Sequence, residues 1–216
     1  MNIAPLIDHT LLKPDATAAD IKRLCDEAKQ RHLAGVCVNS CHIAQVAKAL
    51  EGTSTKPVSV VGFPLGAMET TAKAFEARRA CELGAQEIDM VINIGALKAG
   101  DTDLVTRDIA QVVEASRPWV VKVIIETCLL NHAEKILACQ LAQKAGAHFV
   151  KTSTGFGGGG ATIEDVALMR QTVGPHMGVK ASGGIKTLQD VENMINAGAN
   201  RIGTSTLFIQ YEIRTM

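Results

Sequence analysis

The sequence predicts an α/β fold, a closed (β/α)8 barrel of the TIM type in a single domain over residues 1–216, and three observations lead there. Strand-like and helix-like segments alternate along the whole chain, which implies parallel strands joined by helical crossovers. Eight such units fit the 216 residues at about 27 residues each, the size of a minimal strand–loop–helix unit. The third is an internal repeat: Ala145-Gly-Ala-His-Phe-Val-Lys-Thr-Ser-Thr154 matches Ala197-Gly-Ala-Asn-Arg-Ile-Gly-Thr-Ser-Thr206, two units further on. A doubly wound open sheet is the alternative. It would usually carry a G-x-G-x-x-G turn after its first strand, and Asp8-His9-Thr10 stands there instead.

The elements follow in order. The first strand is read at Leu6–Asp8, and Thr17-x-x-Asp20 then opens a helix whose apolar face is Ile21, Leu24, Cys25 and Ala28. The second and third strands are the β-branched runs Gly35–Val38 and Val58–Val61. Gly84 marks a helix end before the fourth strand, Glu87–Ile92. Val105, Ile109, Val112 and Val113 share a helix face ahead of the fifth strand, Val120–Ile125. Asn131-x-x-Glu134 opens the next helix and Gly146 closes it, before the sixth strand at Phe149–Lys151. Thr162-x-x-Asp165 leads to the seventh strand, Gly178–Lys180. Thr187-x-x-Asp190, with Val191, Met194 and Ile195 behind it and Gly198 at its end, leads to the eighth, Arg201–Gly203. Little chain follows Gly203, so the last helix is expected to be short. Leu83-Gly-Ala-Gln-Glu-Ile-Asp89 also fits the repeat, which puts Asp89, Lys151 and Gly203 at equivalent places on strands four, six and eight. Alternate strands of such a barrel fill a common interior layer. Gly35-Val-Cys-Val fits only with a shift of one residue.

Bulk composition narrows the function. Lys plus Arg and Asp plus Glu are both 22, so zero net charge gives no pointer to nucleic acid or to an anionic membrane. The first residues lack a basic n-region and a long apolar h-region, and no apolar run is long enough to span a bilayer. Six scattered cysteines without a C-x-x-C pair suit reduced thiols in a cytoplasmic protein. Cys37-x-x-x-Cys41-His42 is a poor zinc site, because it turns from strand to helix between ligands and lacks a fourth, so no metal is expected. His9, after strand one, and His132, near a helix start, are expected to be polar rim or surface residues.

Strand parity then orients the polar residues. Val150, Ile88, Met90 and Val179 are apolar neighbours suited to a helix-covered outer face, so Lys151, Asp89 and Lys180 point inward near the C-terminal ends of their strands. Lys122 has the same parity, with Val121, Val123 and Ile125 outward. Buried ions need partners, and the expected network has Lys122, Lys151 and Lys180 sharing the carboxylates of Asp89, Glu87 or Glu126. Lys151 and Lys180 fall on neighbouring strands, about 4.8 Å apart. A like charge and desolvation both favour a neutral amine, which attacks carbonyls to form a Schiff base. An adjacent Asp–Lys pair can shuttle protons if its pKa values are shifted toward neutrality. The bland reading is a buried ion network that only stabilises the barrel. Three loops complete the pattern: Thr152-Ser-Thr-Gly-Phe-Gly-Gly-Gly-Gly160, Ser182-Gly-Gly-Ile185 and Gly203-Thr-Ser-Thr206. Gly-rich loops and helix N-termini after the last strands of such a barrel suit a phosphate.

At these residues the chain resembles the deoxyribose-phosphate aldolases. The matching segments are Ile7-Asp-His-Thr-Leu-Leu-Lys-Pro-Asp15, Gly35-Val-Cys-Val-Asn39, Glu87-Ile-Asp-Met-Val-Ile-Asn-Ile-Gly95, Val121-Lys-Val-Ile-Ile-Glu-Thr127, Phe149-Val-Lys-Thr-Ser-Thr-Gly-Phe156, Val179-Lys-Ala-Ser-Gly-Gly-Ile185 and Arg201-Ile-Gly-Thr-Ser205. The resemblance implies reversible cleavage of 2-deoxy-D-ribose 5-phosphate to D-glyceraldehyde 3-phosphate and acetaldehyde, without metal or organic cofactor. It implies Lys151 as the Schiff-base lysine, Lys180 as the neighbour that perturbs it and Asp89 as the proton-relay carboxylate. Asp8, Cys37 and Thr152 would line the sugar pocket. Gly155, Gly183, Gly184, Thr204 and Ser205 would hold the phosphate, and Lys122 and Gly203 complete the substrate-facing set. A homodimer is the assembly it suggests. Some members carry a basic residue where this chain has Phe156, which leaves the phosphate to backbone N–H groups, hydroxyls and Lys186 if that side chain reaches. Some end in a tyrosine that reaches the active site, and Tyr211 falls too near strand eight to be equated with it. Two readings from other classes stay open: a phosphosugar isomerase or cofactorless synthase, and a non-catalytic metabolite-binding barrel. Irreversible trapping at Lys151 separates these from an aldolase.

Overall fold

The computed structural model describes residues 2–205, so Tyr211 and the helix expected after the last strand lie outside the described residues. Eight strands pair in sequence order: β1 Ile7–Leu11, β2 Gly35–Val38, β3 Lys56–Val61, β4 Glu87–Val91, β5 Val120–Ile124, β6 Phe149–Lys151, β7 Gly178–Ser182 and β8 Arg201–Thr204. All pairs are parallel, and β8 lies on β1 with Asp8 opposite Gly203, which closes the barrel. The helices outside it are α1 Ala18–Gln30, α2 Ile43–Ala49, α3 Thr70–Glu82, α4 Ile94–Lys98, α5 Thr102–Ala115, α6 His132–Lys144, α7 Ile163–Val173 and α8 Leu188–Asn196.

The start signals act as read. Thr17, Asn131 and Thr187 each form a reciprocal capping box with the acidic residue three positions on. Thr162 caps α7 through the Asp165 N–H alone. Gly84, Gly146 and Gly198, just past α3, α6 and α8, have positive φ, the left-handed turn that glycine takes without a Cβ penalty.

Outward strand residues such as Ile88, Met90, Val121, Val123, Val150 and Val179 join the helices' apolar faces in one buried cluster. Full burial of each such side chain stabilises by about 1.5–3 kcal/mol. A second, smaller cluster of Leu12, Cys37, Val58 and Val60, with Phe63 against it, is separate from the first. The same parity places its strand members inside the barrel.

Two expectations need correction. The first strand does not stop at Asp8 but runs to Leu11. His9 is therefore not on the rim: it is buried, and its Nε2 lies 2.9 Å from Glu27 on α1. The polar triplet Asp8-His9-Thr10 resembles a turn in sequence because the burial of His9 depends on a partner 18 positions away.

Candidate active site

The register arranges the inward side chains in four layers. From the N-terminal mouth upward these are Glu87, Phe149 and Arg201 with Gly35; then Asp8, Val58, Lys122 and Lys180; then Cys37, Asp89, Lys151 and Gly203; then Thr10, Val60, Ile124 and Ser182. The repeat thus located a real layer, and the one-residue shift at Gly35 is what brings Cys37 into it.

Asp89 is the centre of the ionic network. Its Oδ1 accepts from Lys122 at 2.7 Å, and its Oδ2 accepts from Lys151 at 2.7 Å and from Lys180 at 2.8 Å. Lys122 also meets Glu87 at 2.5 Å, and Lys180 meets Asp8 at 2.5 Å. Asp8 and Glu87 are bridged from below by Arg201, at 2.8 and 2.9 Å, whose guanidinium lies over the Phe149 ring. Asp8, Asp89, Lys122 and Lys180 are wholly buried and Lys151 is nearly so. Glu126 does not join the network, contrary to one expectation. Its backbone is left-handed at φ 55°, and its carboxylate accepts from the Thr154 N–H at 3.2 Å and from the Thr154 hydroxyl, which clamps the loop after β6.

Charge separates the two facing lysines. Burial, the largest cause, pushes the Lys151 amine below its ordinary range, and the Lys180 ammonium adds to this against the pull of Asp89. Burial also opposes the charge on Lys180, but Asp8 and Asp89 outweigh it and hold that amine well above its ordinary range. Burial works against the Asp89 carboxylate too, and Lys122, Lys151 and Lys180 nevertheless keep it well below the usual range. Asp89 and Lys180 are therefore driven apart, not toward neutrality as a simple proton-shuttling pair would need. They stabilise each other as ions, and Lys151 is the group left poised to lose its proton. Burial pushes the Cys37 thiol up to about 11, so it lines the interior as a neutral group.

The loops above this network are braced against one another. The Thr152 hydroxyl donates to the Ser182 carbonyl and accepts from the Ser182 N–H, each at 3.0 Å, so it is committed to joining β6 to β7. The Ala161 N–H reaches the carbonyls of Ser182 and Gly183, at 3.1 and 3.0 Å. Thr204 donates its hydroxyl to the Ile185 carbonyl at 2.9 Å. Gly155, Gly183 and Gly184 all have positive φ, and a Cβ at Gly155 or Gly184 would meet nothing within 4 Å, so their backbone is open to a ligand. Ser205 is exposed at the end of the described residues. Lys186 is exposed, and its N–H and that of Thr187 both go to Asp190, which removes them as donors to an anion. Phe156 packs edge-to-face on Phe63 with centroids 5.3 Å apart.

Gly203 serves by its missing side chain. A Cβ there would overlap Ser182 Oγ and come within 3.0 Å of Lys180 Cε. Sequence reasoning gave Arg201 no role and read Ser182 only as the start of a Gly-rich loop, although each stands two residues from a residue of the inward set, Gly203 and Lys180. The signal was the same parity.

The chain matches the model of the DeoC/LacD family aldolases over residues 3–208. It is 62% identical to a deoxyribose-phosphate aldolase of Geobacillus sp. (strain WCH70) over 206 residues, 95% of this chain and 92% of that one. It is 60% identical to the deoxyribose-phosphate aldolase of Streptococcus gordonii over 206 residues, 95% of this chain and 94% of that one. Among solved structures, the tetrameric deoxyribose phosphate aldolase of Aeropyrum pernix superposes with a TM-score of 0.88 at 34% identity, over 94% of this chain and 87% of that one.

Proposed function

The chain belongs to the DeoC/LacD aldolase family, and from that premise we infer a class I aldolase that reversibly cleaves 2-deoxy-D-ribose 5-phosphate to D-glyceraldehyde 3-phosphate and acetaldehyde. The observation that carries the chemistry is the pair of buried lysines, Lys151 and Lys180, that share Asp89 Oδ2, and of these two Lys151 is the one pushed toward the neutral amine. Lys151 Nζ adds to the C1 aldehyde, and the resulting carbinolamine loses water to give a protonated imine. Loss of the C3 hydroxyl proton then breaks the C2–C3 bond. Its electron pair flows to the imine nitrogen as an enamine, and C3 leaves as the aldehyde carbon of glyceraldehyde 3-phosphate. Protonation at C2 and hydrolysis release acetaldehyde and return Lys151.

In this reading Asp89, the carboxylate at 2.7 Å from the Lys151 amine, passes on the protons that Lys151 sheds without holding them, since its lysine neighbours keep it ionised. Lys180 stays an ammonium that favours the neutral form of its neighbour. Asp8 and Lys122 hold that arrangement from below, Cys37 and Thr152 bound the sugar end, and Gly203 leaves room for Lys180. The phosphate falls to the open backbone of Gly155 and Gly184 and to Gly183 between the braced loops, with Thr204 and Ser205. Residues 1–216 act as one aldolase domain. No helix among the described residues is long and apolar enough to cross a membrane, and a cytoplasmic homodimer working on small phosphosugars and aldehydes completes the proposal.

Borohydride added with acetaldehyde should reduce the imine and leave a stable adduct, located by peptide mass spectrometry on Lys151 and missing from Lys151→Ala. A folded protein that binds the sugar phosphate yet gives no lysine adduct would sink the aldolase reading and favour an imine-free isomerase or synthase.

A further inference from the structure

Ser182 is 6% exposed, and its hydroxyl has no hydrogen-bond partner among the described residues. A buried hydroxyl left unpaired costs about 1–3 kcal/mol, so its persistence at this place points to a partner other than the described residues. The backbone beneath it is fixed from both sides, by the Thr152 hydroxyl on its N–H and by Thr152 and Ala161 on its carbonyl. Its position is equally defined. Ser182 lies opposite Gly203 in the ladder, one layer nearer the C-terminal mouth than Lys151. The missing Cβ of Gly203 leaves open the space that Ser182 Oγ and Lys180 Cε both border.

We propose that Ser182 Oγ contacts the substrate and helps set its specificity, by hydrogen-bonding a hydroxyl oxygen that lies between the imine carbon and the phosphate. The inference rests on the aldolase reading. Along β7 and the loop after it the chain presents Lys180, then Ser182, then Gly183 and Gly184. A substrate joined to Lys151 at C1, with its phosphate on those glycines, must carry its C3 and C4 oxygens past the level of Ser182. A hydroxyl can donate to one such oxygen or accept from it. These oxygens belong to the half of the substrate that departs as glyceraldehyde 3-phosphate. The contact therefore serves bond cleavage and not imine formation with acetaldehyde.

The test is Ser182→Ala with three readouts on the full chain. The first is kcat/KM for cleavage of deoxyribose 5-phosphate, expected to fall by about 10- to 100-fold. The second is deuterium uptake into the methyl group of acetaldehyde in D2O, followed by NMR. It requires the imine and enamine on Lys151 but no acceptor, and it is expected to stay within about twofold of the parent protein. The third is the thermal midpoint, expected to hold or rise, because the variant loses an unpaired buried hydroxyl. Cleavage that stays near the parent rate overturns the contact. So does a parallel fall in cleavage and exchange, or a lowered midpoint, since either would make Ser182 a support for the lysines. A parent protein that neither cleaves the sugar phosphate nor exchanges acetaldehyde protons would instead overturn the aldolase reading, and this inference with it.

Discussion

At the scale of the residue, the site turns on two lysines of one type given opposite tendencies by their neighbours. Lys180 is held between two carboxylates, whereas Lys151 has only a share of Asp89 and faces an ammonium. Lys180→Met removes that ammonium and leaves Asp89 less compensated, and both changes raise the pKa of Lys151. Borohydride trapping with acetaldehyde should then slow on the order of tenfold or more at pH 7, and its pH profile should move to higher pH. An unmoved profile would mean that burial alone sets the reactivity of Lys151. Lys151, Lys180, Lys122 and Asp89 were legible because each is a polar residue between apolar ones in a short strand, where period two leaves one direction free. Asp8 in the interior and His9 outside were not separable in this way, since the two stand side by side at the start of a polar triplet. Only their partners, Lys180 and Arg201 for one and Glu27 for the other, tell them apart.

At the scale of the element, polar ties decide how strands and helices seat. Lys73 on α3 is wholly buried, donating to Asp108 on α5 and to the Val91 carbonyl at the end of β4, two residues past Asp89. Breaking a buried pair from one side leaves the other charge stranded, so Lys73→Met should cost about 3–5 kcal/mol, read as a lowered urea midpoint. Gly203→Ala drives a methyl into Ser182 and Lys180. It should lose about 1–3 kcal/mol of stability, together with most of the cleavage activity. A Gly203→Ala protein of parent stability and rate would show that β8 yields and that the close fit is immaterial. The caps and glycine stops of the helices could be read directly, since each is a local hydrogen bond or a local φ. Lys73 could not, because a lysine at a helix start reads as solvated until α5 is packed against it.

At the scale of the whole molecule, alternation and the repeat carried the barrel and even one of its layers. The Glu126 clamp and the floor built from Arg201 and Phe149 were not evident, because they depend on which loops and strand starts meet in space. Acid stability belongs to this scale. Burial opposes the charge of Asp8 and Asp89, yet Lys180, Arg201, Lys122 and Lys151 hold both carboxyls well below their ordinary range. Their contribution is fully present above the unfolded carboxylate value of about 3.9 and is lost as pH falls through the folded values. The urea midpoint should therefore decline below about pH 4. Asp8→Asn should be less stable at neutral pH by on the order of 3 kcal/mol, with a shallower acid decline. Equal acid slopes in the two proteins would place the acid sensitivity elsewhere.

The connected stack inside the barrel has an odd number of charges. Four cationic groups, Lys122, Lys151, Lys180 and Arg201, face three carboxylates, Asp8, Glu87 and Asp89. With every group ionised, a unit of positive charge is left over where little solvent can screen it, and the neutral amine of Lys151 removes it. On the aldolase reading, the protonated imine brings that unit back, and the enamine formed as the carbon–carbon bond breaks takes it away again. The interior thus alternates between one surplus charge and none at each turnover. Its electrostatics favour the two uncharged stations, free amine and enamine, that stand on either side of the iminium.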